Sequence, residues 1–168
     1  MKLDIFVTNL GKYNEGELLG EWVKLPADAD TLEAVFDRIG IDTYYEEYFI
    51  TDYETDAPIR VDEFDRIEDL NRTAEKIAEL DEYTAEIVTA LMGDGYTLDE
   101  AIDAADDCIY YDGCSSMADV AEQYAEETGL LDSIPVNLQY YFDFEKLGRD
   151  MGLEGHFIET DGGIIQVL

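Results

Sequence analysis

Apolar positions fall into three successive regimes along the chain. In the first, Leu3-Asp4-Ile5-Phe6-Val7-Thr8 and the run from Leu18 to Leu25 read as strands, and a third strand is expected around Tyr48 to Tyr53. Between them Leu32, Val35, Phe36 and Ile39 recur at helical steps, with Asp30 and Thr31 as N-cap candidates and Gly40 as a stop. Ala57-Pro58 punctuates the chain next. In the second regime Phe64, Ile67, Leu70, Ala74, Ile77 and Ala78 line one helix face, and Tyr83, Ile87 and Leu91 repeat it until Gly93-Asp94-Gly95 intervenes. Thr97-Leu98-Asp99-Glu100 spells a capping box, opening a helix with Leu98, Ala101, Ile102 and Ala105 inward. The third regime is mixed again. Cys108 to Tyr111 reads as a strand, Ser116 caps a helix carrying Met117, Val120, Ala121 and Tyr124, and short strands at His156 to Glu159 and Ile164 to Val167 flank Asp161-Gly162-Gly163. The pattern predicts an α+β protein with α/β-mixed first and last domains around a helical middle, and it contains no internal repeat.

Charge changes the picture. Asp and Glu number 42 against 10 Lys and Arg, a net charge of −32 on 168 residues. Solubility needs a net charge of only about 2–8 in a small domain, and self-repulsion opposes compaction. The 46% of hydrophobic residues nevertheless supplies a core, so the acidity is not that of a disordered tail. Between Lys76 and Lys146 lie 69 residues without Lys or Arg, 18 of them acidic. Direct binding of nucleic acid needs basic patches, so the sign excludes it, and anionic lipid is repelled in the same way. No stretch approaches the roughly 18 apolar residues of a spanning helix, and the N-terminus has no leader pattern. The expectation is a soluble, cytoplasmic chain.

The acids themselves fall at helical steps. Glu79, Glu82 and Glu86 form one line if the helices run on; Asp99, Asp103 and Asp106 or Asp107 form a second; Asp119, Glu122 and Glu126 form a third. Such neighbours lie roughly 5–6 Å apart and each like-charge pair costs about 0.2–0.5 kcal/mol. One such face is an ordinary solvated surface. Three in succession without a compensating cation point to a cationic partner.

Catalytic chemistry finds little support. Cys108 and Cys114 lack the spacing of a disulfide framework or metal site and read as packed thiols. Asp52, Glu54, Asp56 and Glu63 match part of a calcium-loop spacing, but Ala57 stands where the loop needs Gly, and Pro58 and Arg60 intrude. His156, the one histidine, sits in no nucleophile motif. The glycines form no phosphate loop. We expect no enzyme, metal or cofactor.

Three stretches go beyond composition. Gly11-Lys12-Tyr13-Asn14-Glu15-Gly16-Glu17-Leu18-Leu19-Gly20-Glu21-Trp22 and Gly95-Tyr96-Thr97-Leu98-Asp99-Glu100-Ala101 resemble signatures of the ArdA antirestriction family. The run from Leu130 to Asp150 resembles its antirestriction motif, with Leu131, Pro135, Leu138, Tyr141, Phe142, Asp143, Glu145, Arg149 and Asp150 in place. The resemblance covers essentially the whole chain. It implies a DNA mimic, carried by conjugative transposons and plasmids, that occupies the DNA-binding cleft of type I restriction-modification enzymes. It also implies an elongated homodimer of three-domain protomers, with the motif at the dimer interface and boundaries at 1–61, 62–103 and 104–168.

Read from the residues alone, the motif is the densest apolar cluster in the chain, either the core of the last domain or core plus interface. Pro135 sets a turn within it, and Arg149 is placed to make bidentate pairs with Glu145 or Asp150. Two other functional classes fit the charge: an acidic chaperone or sequestering protein for another basic partner, and halophilic adaptation.

Overall fold

The computed structural model describes residues 1–168 as two compact units, Met1–Ala85 and Glu86–Leu168. Eight helices and two three-stranded antiparallel sheets make the protein α+β. The division between the units falls inside a helix.

In the first unit β1 (Leu3–Asn9) is the central strand between β2 (Gly20–Leu25) and β3 (Tyr48–Thr55). Alternation does the folding: Leu3, Ile5, Val7, Val23 and Leu25 are buried on one face. Helices α2 (Ala29–Arg38) and α3 (Ile67–Glu79) add Val35, Ile67, Leu70, Ala74 and Ile77 to the core. Asn9 ends β1 fully buried and fully used. Its Nδ2 donates to the carbonyls of Ile39 and Gly40, and its Oδ1 accepts from Lys12 N at the head of α1 (Leu10–Asn14). One side chain therefore joins a strand end to the ends of two helices.

Several local expectations shift. The strand expected from Leu18 begins at Gly20. The N-cap of α2 is Asp28, whose extended backbone lets its carboxylate accept from Thr31 N at 2.8 Å; Asp30 and Thr31 are already helical. Phe64, expected on a helix face, precedes α3 in a loop and is 71% exposed. Helix α3 stops at Leu80, which is extended, and Asp81 caps α4 (Glu82–Gly93) through Thr84 N.

The second unit contains α5 (Leu98–Ala105), β4 (Cys108–Asp112), α6 (Met117–Thr128), α7 (Val136–Gln139), α8 (Phe144–Glu154), β5 (His156–Glu159) and β6 (Gly163–Val167), with β6 central in the sheet. The capping box forms as expected: Thr97 Oγ1 accepts from Glu100 N and Glu100 accepts from Thr97 N. Tyr111, Cys114, Val120 and Ile164 form a core against which Met117, Met151 and Phe157 pack. Both cysteines are free thiols, and burial pushes each thiol upward from its ordinary value. Gly148 of α8 lies against the backbone of α6, where a Cβ would lie 2.1 Å from the Met117 carbonyl oxygen.

Candidate partner-binding surface

The acids picked out by spacing divide into two kinds. Glu79, Glu82, Asp99, Asp103, Asp106, Asp107, Glu122 and Glu126 are exposed. Glu86 and Asp119 are half-buried and hold the fold together. Glu86 Oε1 accepts from the Tyr110 hydroxyl at 2.9 Å, and burial with this bond raises the phenol above its ordinary value. Asp119 Oδ2 accepts from Ser115 N and Oγ, while Asp119 N donates to Ser116 Oγ. The hydrogen bond with the Ser116 side chain leads the causes that lower the Asp119 carboxyl. Spacing alone does not separate a helix-capping carboxylate from a free one, because both occupy the same face.

The line through Glu79, Glu82 and Glu86 is not one helix face. Glu79 closes α3, Glu82 opens α4, and the extended Leu80 breaks the spiral between them. Asp99 and Asp103 do share a face of α5, with Asp106 as its C-cap and Asp107 after it. Glu122 and Glu126 share a face of α6. Helices α4, α5, α6 and α8 have no basic residue in their last turns. Helix C-termini favour cations, so the acids there are placed against stability. The first unit carries 23 acids and 8 bases, a net −15, and the second 19 and 2, a net −17.

The motif region, read from the sequence as core alone or as core plus interface, lies largely in water. Tyr140 and Tyr141 are 92% and 84% exposed, and Val136 and Leu138 are also exposed. Leu131, Phe142 and Phe144 are half-buried, and with Tyr140 they line a groove of about 500 Å³ whose rim includes Glu122, Glu126 and Asp132. The reading of this segment as core alone fails at Leu138 and Tyr141. Pro135 heads α7, its carbonyl accepting from Leu138 N at 2.7 Å. Asp143 is the N-cap of α8, accepting from Lys146 N, a role spacing did not reveal. Glu145 lies exposed in the first turn of α8. Arg149 makes no bidentate pair: its Nε stands 3.7 Å from Asp150 Oδ1, with both side chains exposed. The bidentate arginine is Arg38, which donates from Nε and Nη2 to the two oxygens of Glu21 at 2.8 Å each.

The N-terminal signature is paired internally. Lys12 Nζ lies 3.4 Å from Glu15, 3.6 Å from Glu17 and 4.6 Å from the centre of the Tyr45 ring. The Tyr45 hydroxyl donates to Glu15, the leading cause that raises the phenol from its ordinary value. These polar residues build the loop after α1.

The chain is thus a small α+β protein whose functional candidate is a broad carboxylate surface beside an exposed apolar segment. The sequence profile described as Antirestriction protein (ArdA) matches residues 5–166 of 168, and the chain belongs to that family. The function that the family implies is antirestriction. A comparison with curated proteins returns no match. No helix is long and apolar enough to cross a membrane.

Proposed function

We propose that the chain is a DNA mimic that occupies the DNA-binding cleft of a type I restriction-modification enzyme in the cytoplasm. The carrying observation is the pair of helices α5 and α6, whose exposed carboxylates lie inside a stretch of 69 residues with no Lys or Arg. Duplex DNA presents one charge per roughly 1.7 Å, so 32 net charges match about 54 Å of duplex, roughly 16 base pairs. A cationic cleft attracts such a surface by the field that steers DNA into it.

The same reading makes the protein a homodimer of three-domain protomers, assembled through Leu131, Leu138, Tyr141 and Phe142. Exposed tyrosines beside a groove lined by Phe142 and Phe144 fit the aromatic enrichment of interfaces. A twofold dimer doubles the length of duplex matched.

Competition between this protein and duplex DNA for a purified type I enzyme tests the proposal. Displacement of DNA at stoichiometric protein, weakening as salt rises, is the expected result. Inhibition that leaves the DNA bound would remove the mimic. The absence of any effect on the enzyme would leave sequestration of another basic partner as the reading.

A further inference from the structure

The N-terminal signature ends in a residue that neither the acidic helices nor the motif region uses. Trp22 is the sole tryptophan. Strand β2 alternates buried Val23 and Leu25 with exposed Trp22 and Lys24, so Trp22 stands on the sheet face turned away from the core, 43% exposed. Register sets Phe6 opposite Trp22 on one side and opposite Asp52 on the other. The Phe6 and Trp22 rings meet edge to face with centroids 5.4 Å apart. Gly20 makes this packing possible, because a Cβ there would lie 2.6 Å from the Phe6 ring.

Carboxylates dominate the rest of that face. Asp52 and Glu54 are exposed, and Asp4 lies between Glu54 and Lys24 in register. Glu54 has Lys2 Nζ at 3.7 Å. The Asp4 Oδ1 atom is shielded from water and accepts no hydrogen bond, an arrangement that is costly.

We infer that this face anchors an arginine side chain of the cationic partner, its guanidinium stacked on Trp22 and its N–H groups directed to Asp52. The indole face attracts a cation more strongly than any other aromatic side chain. A guanidinium is planar, so it stacks and donates in its plane at the same time, which an ammonium does not. Surfaces that grip DNA are rich in arginine for phosphate and base-edge contacts. The inference deepens the mimic reading and rests on it. It gives a uniformly acidic surface one side-chain-specific contact.

Because there is one tryptophan, the emission of the unmodified chain, excited at wavelengths beyond tyrosine absorption, reports this face alone. A hexa-arginine peptide should shift and quench that emission at concentrations where a hexa-lysine peptide of equal charge leaves it unchanged. Trp22→Ala should weaken competition with DNA for the type I enzyme about five- to thirtyfold. Trp22→Phe, which keeps an aromatic face on the strand, should stay within about threefold of the unmodified chain.

Emission unmoved while calorimetry shows arginine peptide bound would overturn the anchor. So would an equal response to both peptides, or full competition by Trp22→Ala. Emission that changes on diluting the chain alone would put a second copy on this face and also overturn it. An unmodified chain that never displaces DNA defeats the mimic reading instead, whatever the peptide titration shows.

Discussion

The aspartates around α5 separate what charge does for stability from what it does for a partner. Asp99 lies in the first turn, where the positive end of the helix dipole favours an anion. Asp103 lies in the last turn, Asp106 is the C-cap and Asp107 follows, all at the end that disfavours one. Each placement is worth about 0.3–1 kcal/mol, and Asp and Asn have similar helix propensities. Amide substitution therefore isolates charge.

Changing Asp103, Asp106 and Asp107 together to Asn should stabilise the protein by about 1–3 kcal/mol, while Asp99→Asn alone should cost about 0.3–1 kcal/mol. For inhibition the sign is common to all four. An exposed ion pair contributes about 0.2–1 kcal/mol, so each single amide should weaken inhibition less than about fivefold, and the triple change about threefold to about 150-fold. Thermal unfolding by circular dichroism and competition against DNA read the two effects. The stability gain should shrink as the Debye length falls from about 30 Å at 0.01 M salt to about 8 Å at 0.15 M. Equal stabilisation by Asp99→Asn and Asp103→Asn would show that general repulsion, and not the helix ends, sets stability. Loss of inhibition from one amide in an intact fold would refute distributed binding.

Three further outcomes follow from particular contacts. Gly148→Ala gains about 1 kcal/mol of helix propensity but drives a methyl into the backbone of Met117; a net loss of about 1–2 kcal/mol is expected in urea unfolding, and an equally stable variant would show that α6 and α8 can part. Tyr141→Glu, on a side chain 84% exposed, should shift the mass toward monomer in light scattering without loss of helix content; an unchanged dimer would place the interface elsewhere. Thr97→Ala should cost about 1 kcal/mol at pH 7, and the gap should narrow in acid. The bonds from Thr97 hold the Glu100 carboxyl below its ordinary 4.5, so their stabilisation is full above that value and is lost as pH falls through the lowered one. A gap independent of pH would remove Glu100 from the cap.

Local periodicity and capping were legible along the chain because both depend on neighbours a few residues away. The core strand of Leu3, Ile5 and Val7, the Thr97–Glu100 box, the Ser116 cap and the pair of short strands around Gly162-Gly163 all formed where alternation and hydrogen-bonding side chains placed them. Net charge needs no coordinates at all. Other features depend on segments distant in sequence. Whether Glu86 and Asp119 are surface charges or hydrogen-bond acceptors rests on Tyr110 and on the turn at Ser115. The break at Leu80 is a backbone angle, and no residue type around it demands one. Gly148 reads as a flaw in a helix until the α6 backbone is set against it. An apolar run is core or surface only according to what covers it. In the single chain nothing buries Tyr140 and Tyr141, so hydrophobicity told where cohesion is available, and the tertiary structure decided which part of it the chain spends on itself.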